Sequence, residues 1–296
     1  MFAIAFALVL PFAPAATEAL AAEEATRPLP RLVSLNPSLT AIVERLGAEA
    51  ALVGVDDYSA RISPALADRP RVGGLFDPSL EAVMALRPDR VLLVAGLEQE
   101  SHGASLRRLG LEVEVFENER YEQVLANIER LGRMVGEEAR AAARIESIRA
   151  LRAAVERAVA GRAKPRTVIV LDRSPLYLVG GETFLDELLG AVGAINLGAE
   201  VAKGYPRGSL EWLVAAAPEL VLDLSPQVES EGALTFWKRW PSLPAVKAGR
   251  VLALDATRVS LPGPDLDRAL RELAIAVHGK SIEAAIDRSL AARGRP

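Results

Sequence analysis

A fourteen-residue phrase occurs twice in the sequence. The first copy, SLEAVMALRPDRVL, spans residues 79–92, and the second, SLEWLVAAAPELVL, spans residues 209–222. Each copy opens with a serine that can cap a helix, then a glutamate in the first turn, where negative charge suits the helix dipole. A proline ends each helix, and the apolar run after it is typical of a buried strand. The repeat therefore predicts two similar α/β units, with Glu81 and Glu211 in equivalent positions.

Short apolar runs alternate with helical patterns in both halves of the chain. This alternation predicts mainly parallel sheets flanked by helices, whose ligands gather where the strands end. Residues 137–160 contain neither proline nor glycine and predict one helix of about 36 Å at 1.5 Å per residue. A coiled-coil segment is the alternative, but the apolar stripe is short for one. We therefore expect an α/β fold of two lobes joined by one long α-helix.

The domain boundaries and individual elements follow from the same patterns. The domains are expected at residues 1–21 (signal peptide), 22–30 (loose N-terminus), 31–133 (N-terminal lobe), 134–163 (linking helix) and 164–296 (C-terminal lobe). The strands are expected at residues 31–35, 51–55, 90–94, 111–116, 166–171, 177–179, 220–224 and 250–254. Helices are expected from Asn36 to Leu46, near residues 101–109, at residues 183–189 and, as the terminal helix, at residues 265–278.

Composition and charge exclude several classes of function. The net charge of −4 argues against nucleic-acid binding, which needs a basic face. The chain has no cysteine, which excludes disulfides, thiolate metal sites, cysteine catalysis and a cysteine-linked lipid anchor. Bare zinc or manganese sites use clusters of histidines and carboxylates, and the chain has only His102 and His278. We expect neither a metal site nor a nucleic-acid partner.

The first sixteen residues are almost wholly apolar and are interrupted by Pro11 and Pro14. Small residues follow at Ala19 and Ala21, in the spacing that signal peptidase reads, so we expect a signal peptide cleaved near Ala21 and a periplasmic protein. The usual basic segment at the start is missing, which puts the assigned start codon in question. A membrane anchor is the weaker alternative, because the broken run falls short of about 20 residues.

Six blocks of the sequence carry a resemblance to a known family. Together, and in this order, they resemble periplasmic substrate-binding proteins of ABC importers, in the class with lobes joined by a long helix that serves cobalamin, haem and iron-siderophore uptake. The cobalamin-binding proteins are the most similar members. The blocks are RLVSLNPSLTAIVERLGA (31–48), VGVDDYS (53–59), VGG-x-x-DPSLEAVMALRPDRVL (72–92), VGGETFLDELLGAVGAINL (179–197), GSLEWLVAAAPELVL (208–222) and LPGPDLDRAL (261–270).

This resemblance implies a ligand held in the cleft between the lobes, with little hinge motion because the connection is a helix. It implies a monomer that delivers its ligand to a permease dimer and its ATPase. It also implies that Glu81 and Glu211 dock into arginine pockets of the permease. Each glutamate has an alternative role as a helix-dipole partner only, worth about 0.3–1 kcal/mol.

The resemblance and the strand-end loops together suggest a set of ligand-binding residues. Aromatic rings could hold a flat corrin by stacking and apolar contact, although each ring could instead pack in a core. Haem stays open, because Tyr58 or His102 could be an axial ligand. A ferric siderophore also stays open, because arginines could grip it, unless Arg173 and Arg258 form surface or interlobe salt bridges. The candidates are Asn36, Tyr58, Leu75, Phe76, Gly96, Arg173, Tyr177, Tyr205, Trp237 and Arg258.

An exported enzyme is the competing class. The sequence has no phosphate-binding glycine loop and no Ser-His-Asp set placed by a motif. Glu81 and Glu211 begin helices in separate lobes, which makes a shared acid/base site the poorer interpretation. A purely structural exported module is disfavoured because the strand-end loops converge on one cleft. We therefore expect a binding protein without catalytic activity.

Overall fold

The first sheet builds the N-terminal lobe. The computed structural model describes residues 28–226 and 230–293. The sheet has four strands in the order β2-β1-β3-β4, and all of its pairings are parallel. Its strands are β1 Leu32–Ser34, β2 Leu52–Val55, β3 Arg90–Val94 and β4 Val113–Phe116.

Helices connect these strands and cover both faces of the sheet. Residues such as Ile42, Leu125 and Ile128 are fully or almost fully buried. This burial explains why short strands form here, since each parallel strand lies between two apolar layers. The helices are α1 Pro37–Arg45, α2 Asp57–Ile62, α3 Leu80–Ala85, α4 Leu97–Arg108 and α5 Tyr121–Val135, with 3-10 turns at Glu49–Ala51 and Pro64–Leu66.

One long helix, α6 Glu138–Val159, joins the two lobes. Its 22 residues span about 33 Å at 1.5 Å per residue. Ile148, Leu151 and Val155 are buried along it and belong to a core that includes residues of both lobes. The prediction of a long connecting helix is confirmed.

The second sheet builds the C-terminal lobe. It has five strands, with the main order β6-β5-β8-β9, and β7 pairs with the start of β5. Among the described strands of this sheet, β6 alone runs antiparallel, as the return strand of a hairpin with β5. Its strands are β5 Arg166–Arg173, β6 Leu176–Leu178, β7 Ile195–Asn196, β8 Leu220–Asp223 and β9 Val251–Ala253. The second lobe's helices are α7 Phe184–Ala191, α8 Leu210–Ala216, α9 Ser230–Trp237, α10 Pro244–Lys247, α11 Ala256–Val259, α12 Leu266–His278 and α13 Ile282–Arg293, with a 3-10 turn at Leu197–Glu200.

Three helical predictions were incomplete or wrong. Helix α2 was not predicted; it forms because the buried Asp56 accepts hydrogen bonds from the amides of Tyr58 and Ser59. Helix α4 begins at Leu97, one turn before the predicted start. Helix α12 is not terminal, because Gly279 ends it and α13 then packs against α6.

The two copies of the repeat adopt the same conformation. Ser79 Oγ accepts a hydrogen bond from the amide of Ala82 at 3.2 Å, and Ser209 Oγ accepts one from the amide of Trp212 at 3.1 Å. After each helix comes one non-glycine residue with positive φ, 46° in the first copy and 48° in the second. This left-handed residue lets the chain leave the helix before the proline. The repeat is therefore a structural duplication.

Two expectations concern the N-terminus and membrane insertion. The expected signal peptide at residues 1–21 lies outside the part of the chain that the structure describes. Within residues 28–226 and 230–293, the structure contains no helix with the length and apolar character needed to cross a bilayer.

Candidate ligand-binding cleft

Loops at the carboxyl ends of the two sheets face each other. Tyr58, which follows β2 of the first lobe, places its Oη 3.4 Å from Oγ1 of Thr257, which follows β9 of the second. Glu119, in the loop after β4, is close enough to Tyr205 of the second lobe to raise the pKa of its hydroxyl. These contacts bring the strand-end loops of the two sheets together, where the family resemblance places the ligand cleft.

On the first lobe, buried Asp56 positions Tyr58. Its carboxylate accepts hydrogen bonds from the amides of Tyr58 at 3.0 Å and Ser59 at 2.9 Å, and also one from the hydroxyl of Ser59. Burial raises the pKa of Asp56, and the hydrogen bonds from Ser59 and Tyr58 oppose part of that rise. The Arg61 guanidinium lies 4.8 Å from the centre of the Tyr58 ring. The half-buried Tyr58 is therefore held in place by Asp56 and Arg61, and its role as a ligand contact stays a prediction.

The loop before Glu81 is tied to helix α4. Gln99 Nε2 donates to the carbonyl of Leu75 at 2.6 Å, and His102 Nε2 donates to the carbonyl of Phe76 at 3.2 Å. The Phe76 side chain is 69% exposed, while Leu75 is partly buried. The geometry therefore presents Phe76, rather than Leu75, as the accessible apolar group of this loop.

Asn36 and Gly96 lie two residues beyond the ends of β1 and β3. Asn36 is largely buried and its side-chain oxygen accepts the amide of Ser38 at 2.9 Å, which caps α1. Gly96 is exposed at the start of α4, and a Cβ atom there would meet nothing closer than Gln99 Cγ at 3.9 Å. Asn36 is therefore a helix cap near the end of β1, and Gly96 leaves open space at the start of α4.

On the second lobe, two tyrosines lie on neighbouring segments. Tyr177 belongs to β6. The segment 204–208 pairs with that strand through backbone hydrogen bonds, such as the one from the Leu178 amide to the Pro206 carbonyl at 3.0 Å. Tyr177 and Tyr205 are both 40% exposed. Burial around its hydroxyl raises the pKa of Tyr205, and the charge of Glu119 raises it further. Tyr205 is thus neutral and near the first lobe.

A buried ion pair lies at the carboxyl ends of β5 and β8. Arg173 Nε donates to Oδ2 of the fully buried Asp223 at 2.9 Å, and its guanidinium lies 4.9 Å from the centre of the Phe236 ring. Arg173 Nη2 and Ser225 Oγ are buried without a hydrogen-bond partner within the described part of the chain. Arg173 is therefore mostly buried, with a side chain 16% exposed, and its charge is paired within the second lobe.

The expectation that Trp237 lines the cleft is wrong. Its side chain is wholly buried, and its indole Nε1 donates to Asp223 Oδ2 at 2.6 Å. Trp237 packs edge-on against Phe236, with ring centres 5.0 Å apart. Its physical role is to satisfy the buried carboxylate within the core of the second lobe.

Arg258 makes its ion pairs inside its own lobe. It contacts Asp255 and Glu272, each at 3.4 Å, and its side chain remains about half exposed. An interlobe salt bridge of Arg258 is therefore not what the structure shows.

Other ion pairs connect the lobes, and the sequence analysis did not find them. Arg45 of α1 contacts Asp265 at 2.5 Å, and Arg120 contacts Glu187 at 2.6 Å. Arg144 of the linking helix binds Asp265 at 3.1 Å and Asp267 at 2.5 Å. Asp265 and Asp267 belong to the LPGPDLDRAL block, and its two neighbouring acidic residues are the sequence feature that could have pointed to these ion pairs.

Glu81 and Glu211 are exposed in the first turns of α3 and α8. Hydrogen bonds from its own amide and from the Ser209 side chain lower the pKa of Glu211. Neither glutamate has an ion-pair partner within residues 28–226 and 230–293. Both carboxylates are therefore accessible to a cation from outside.

Over the ranges that the structure describes, no group of three or more His, Asp or Glu side chains is arranged to hold a metal ion. The tyrosines and polar loops described above are of the kind found in sites for organic ligands.

Two α/β lobes, one connecting helix and facing strand-end loops define a cleft-type binding protein. The chain belongs to the periplasmic binding protein family, whose profile matches residues 32–257. The vitamin B12-binding protein of Vibrio parahaemolyticus is 24% identical over 249 residues, which cover 84% of this chain and 90% of that protein. The predicted family is thereby confirmed.

Two solved structures are similar over most of their length. The vitamin B12-binding protein BtuF of Vibrio cholerae has a TM-score of 0.74 at 22% identity, covering 87% of this chain and 98% of that one. A heme-binding protein of Pseudomonas aeruginosa has a TM-score of 0.73 at 29% identity, covering 86% of this chain and 94% of that one. The expected two-lobed fold is confirmed.

Proposed function

We propose that this protein captures a cobalamin-type ligand between its lobes and delivers it to the permease dimer and ATPase of an ABC transporter. One observation carries the proposal: Tyr58 and Thr257 approach to 3.4 Å, so that loops of both lobes border a single cleft. The vitamin B12-binding relative in Vibrio parahaemolyticus supports the ligand class. Delivery of an intact ligand needs no catalytic group, so we propose binding without turnover.

Tyrosines suit the two kinds of surface that a corrin presents. A corrin has broad apolar faces and a rim of amide groups. Phenol rings can pack on the faces while their hydroxyls bind the amides. Tyr58 of the first lobe and Tyr177 and Tyr205 of the second are all at least partly exposed. The exposed Phe76 adds an apolar contact from the loop before Glu81.

Haem is the second candidate. The heme-binding relative of Pseudomonas aeruginosa is 29% identical to this chain, and a tyrosine can ligate haem iron. Tyr58 is the first-lobe tyrosine at the cleft. A ferric siderophore is less favoured, because Asp223 pairs with Arg173, and Asp255 and Glu272 pair with Arg258. Both cations that would attract it are largely neutralised.

A pair of titrations tests the ligand. Purified protein is titrated with cyanocobalamin and, separately, with haemin, by calorimetry and absorbance. We expect saturable binding of one cyanocobalamin per chain, with the ligand recovered unchanged by mass spectrometry. A shift of the haemin absorbance without cyanocobalamin binding would select the haem candidate. Chemical conversion of either ligand would contradict a pure binding role.

Glu81 and Glu211 are proposed to dock the two lobes onto the permease. Reversing both charges, Glu81→Lys with Glu211→Lys, should abolish ligand uptake by cells and leave ligand affinity unchanged. The matched control, Asp68→Lys with Glu200→Lys, makes the same charge change at one exposed acid in each lobe. Normal uptake in the first variant would remove the docking role.

A further inference from the structure

The two copies of the repeat match in exposure, residue by residue. Glu81 and Glu211 are exposed, and the residues two positions later, Val83 and Leu213, are wholly buried. The next residue in each copy is apolar and exposed, Met84 at 41% and Val214 at 37%. The duplication therefore extends from the backbone to the outer surface of both lobes.

Each exposed apolar residue lies beside the glutamate of its own helix. Residues three positions apart are neighbours on a helix surface, so the carboxylate and the apolar group share one face. Ala85 and Ala215, four positions after the glutamates, are also exposed and small, which leaves that face open. The serine caps described above fix both helix starts in the same geometry. We name these surfaces, residues 81, 84 and 85 and residues 211, 214 and 215, the docking patches.

A single exposed apolar residue is ordinary, but these two are related by the repeat. In the ranges 28–226 and 230–293, nine large apolar side chains are exposed, and two of them occupy equivalent positions of the repeat. Exposed apolar groups beside polar ones are typical of protein interfaces. Both docking patches also carry a carboxylate without an ion-pair partner among the described side chains. Each docking patch thus offers one charge and one apolar group.

We propose that Met84 and Val214 are the apolar half of two matched docking patches. Their occupant is a two-fold symmetric protein that presents, twice, a cation beside an apolar hollow. A partner with this symmetry meets two equivalent surfaces with the same contact. The inference rests on the proposed function, in which that partner is the permease dimer, and adds residues that determine how long the complex lasts.

The two kinds of group act on different rate constants. Charges steer association and make it depend on salt, whereas buried apolar contact mainly slows dissociation. The test therefore measures association and dissociation of the receptor on the cognate permease–ATPase complex of the native host, held in lipid nanodiscs, at low and high salt. The variant Met84→Gln with Val214→Thr keeps the side-chain shapes and replaces apolar by polar groups.

We expect this variant to bind about tenfold more weakly, equivalent to about 1.4 kcal/mol, through faster dissociation at both salt concentrations. Leu109→Gln, at an exposed residue outside the repeat, is the control and should dissociate like wild type. Unchanged urea midpoints establish that all variants are folded.

A separate variant distinguishes this inference from the proposed function. Glu81→Gln with Glu211→Gln should slow association and reduce its salt dependence. If that variant loses binding while the Met84 and Val214 variant dissociates like wild type, the inference is overturned and the glutamate docking stands. If wild type fails to bind the complex at all, the docking role itself is overturned.

Discussion

Arg31 and Arg166 make the same hydrogen bonds in different lobes. The amide of Arg31 donates to Asp89 at 2.7 Å, and the amide of Arg166 donates to Glu219 at 2.8 Å. Their guanidinium groups reach the end of the repeated helix, at the carbonyls of Leu86 and Ala216. Each arginine thus ties the first strand of a sheet to the repeat of the same lobe.

This relationship predicts unequal losses of stability. Arg31 donates to two helix-end carbonyls, whereas Arg166 donates to one. We expect Arg31→Ala to lower the free energy of unfolding by about 1–2 kcal/mol and Arg166→Ala by about 1 kcal/mol, since each hydrogen bond is worth about 0.5–1.5 kcal/mol net. Urea unfolding measures both, with Arg71→Ala as an exposed control. Equal, negligible effects would show that these contacts do not support the fold.

The pairing of Tyr58 with Thr257 predicts how ligand affinity divides between ring and hydroxyl. Tyr58→Phe keeps the ring and removes the 3.4 Å contact, so we expect a small effect. Tyr58→Ala removes the ring and should weaken cyanocobalamin binding several-fold to tenfold, since an aromatic contact adds about 0.5–1.5 kcal/mol beyond its area. Calorimetry measures both, and Leu109→Ala is the control. Unchanged affinity in Tyr58→Ala would place the ligand away from this residue.

Asp223 predicts a large effect on stability. Asp223→Ala leaves Arg173 without its buried partner and leaves the Trp237 N–H unsatisfied. Breaking one side of a buried pair costs about 3–5 kcal/mol. Trp237→Phe should cost less, because it removes one hydrogen-bonded group and keeps most of the packing. Urea unfolding followed by circular dichroism measures both. If Asp223→Ala left the free energy of unfolding nearly unchanged, the bonds of this carboxylate to Arg173 and Trp237 would not stabilise the fold.

The sequence predicted the repeated units and the connecting helix, because each leaves a local pattern in the chain. Trp237 was misplaced because spacing does not reveal which buried acceptor an indole will find, and Asp223 lies on another element. The contact between Arg144 and Asp265 joins residues far apart in the sequence, so no local pattern specifies it. The repeat predicted that Glu81 and Glu211 are equivalent. That the apolar residues beside them, Met84 and Val214, are exposed to solvent is known only from the structure.

His278 predicts a pH effect on stability. Its Nε2 donates to the carbonyl of Val192 at 2.7 Å, and burial lowers its pKa from the usual 6.5. The unfolded chain therefore takes up the proton more readily, so this histidine's contribution is present above pH 6.5 and is lost as the pH falls through the lower folded pKa. We expect wild type to lose stability relative to His278→Gln below pH 6.5. Urea unfolding across that range measures it. His102→Gln is the control, and parallel pH profiles for wild type and His278→Gln would contradict the prediction.

Two arginines on the linking helix make a matched pair for the last prediction. Arg144 has an 18% exposed side chain and binds Asp265, Asp267 and the carbonyl of Pro264, which joins α6 to the start of α12. Arg149 is 53% exposed and pairs with the exposed Glu122. Hydrogen bonds to charged groups contribute about 1.5–3 kcal/mol each when shielded. Exposed ion pairs contribute about 0–1 kcal/mol.

We therefore expect Arg144→Ala to lower the free energy of unfolding by about 2–4 kcal/mol, from several such bonds with partial solvent screening. Arg149→Ala should stay within about 1 kcal/mol of wild type. Because both substitutions remove one positive charge from the same helix, the difference between them isolates the contact to α12. Guanidinium unfolding measures it, and small-angle scattering of Arg144→Ala should show a more open pair of lobes. Equal stabilities of the two variants would mean that this contact does not hold the second lobe to the linking helix.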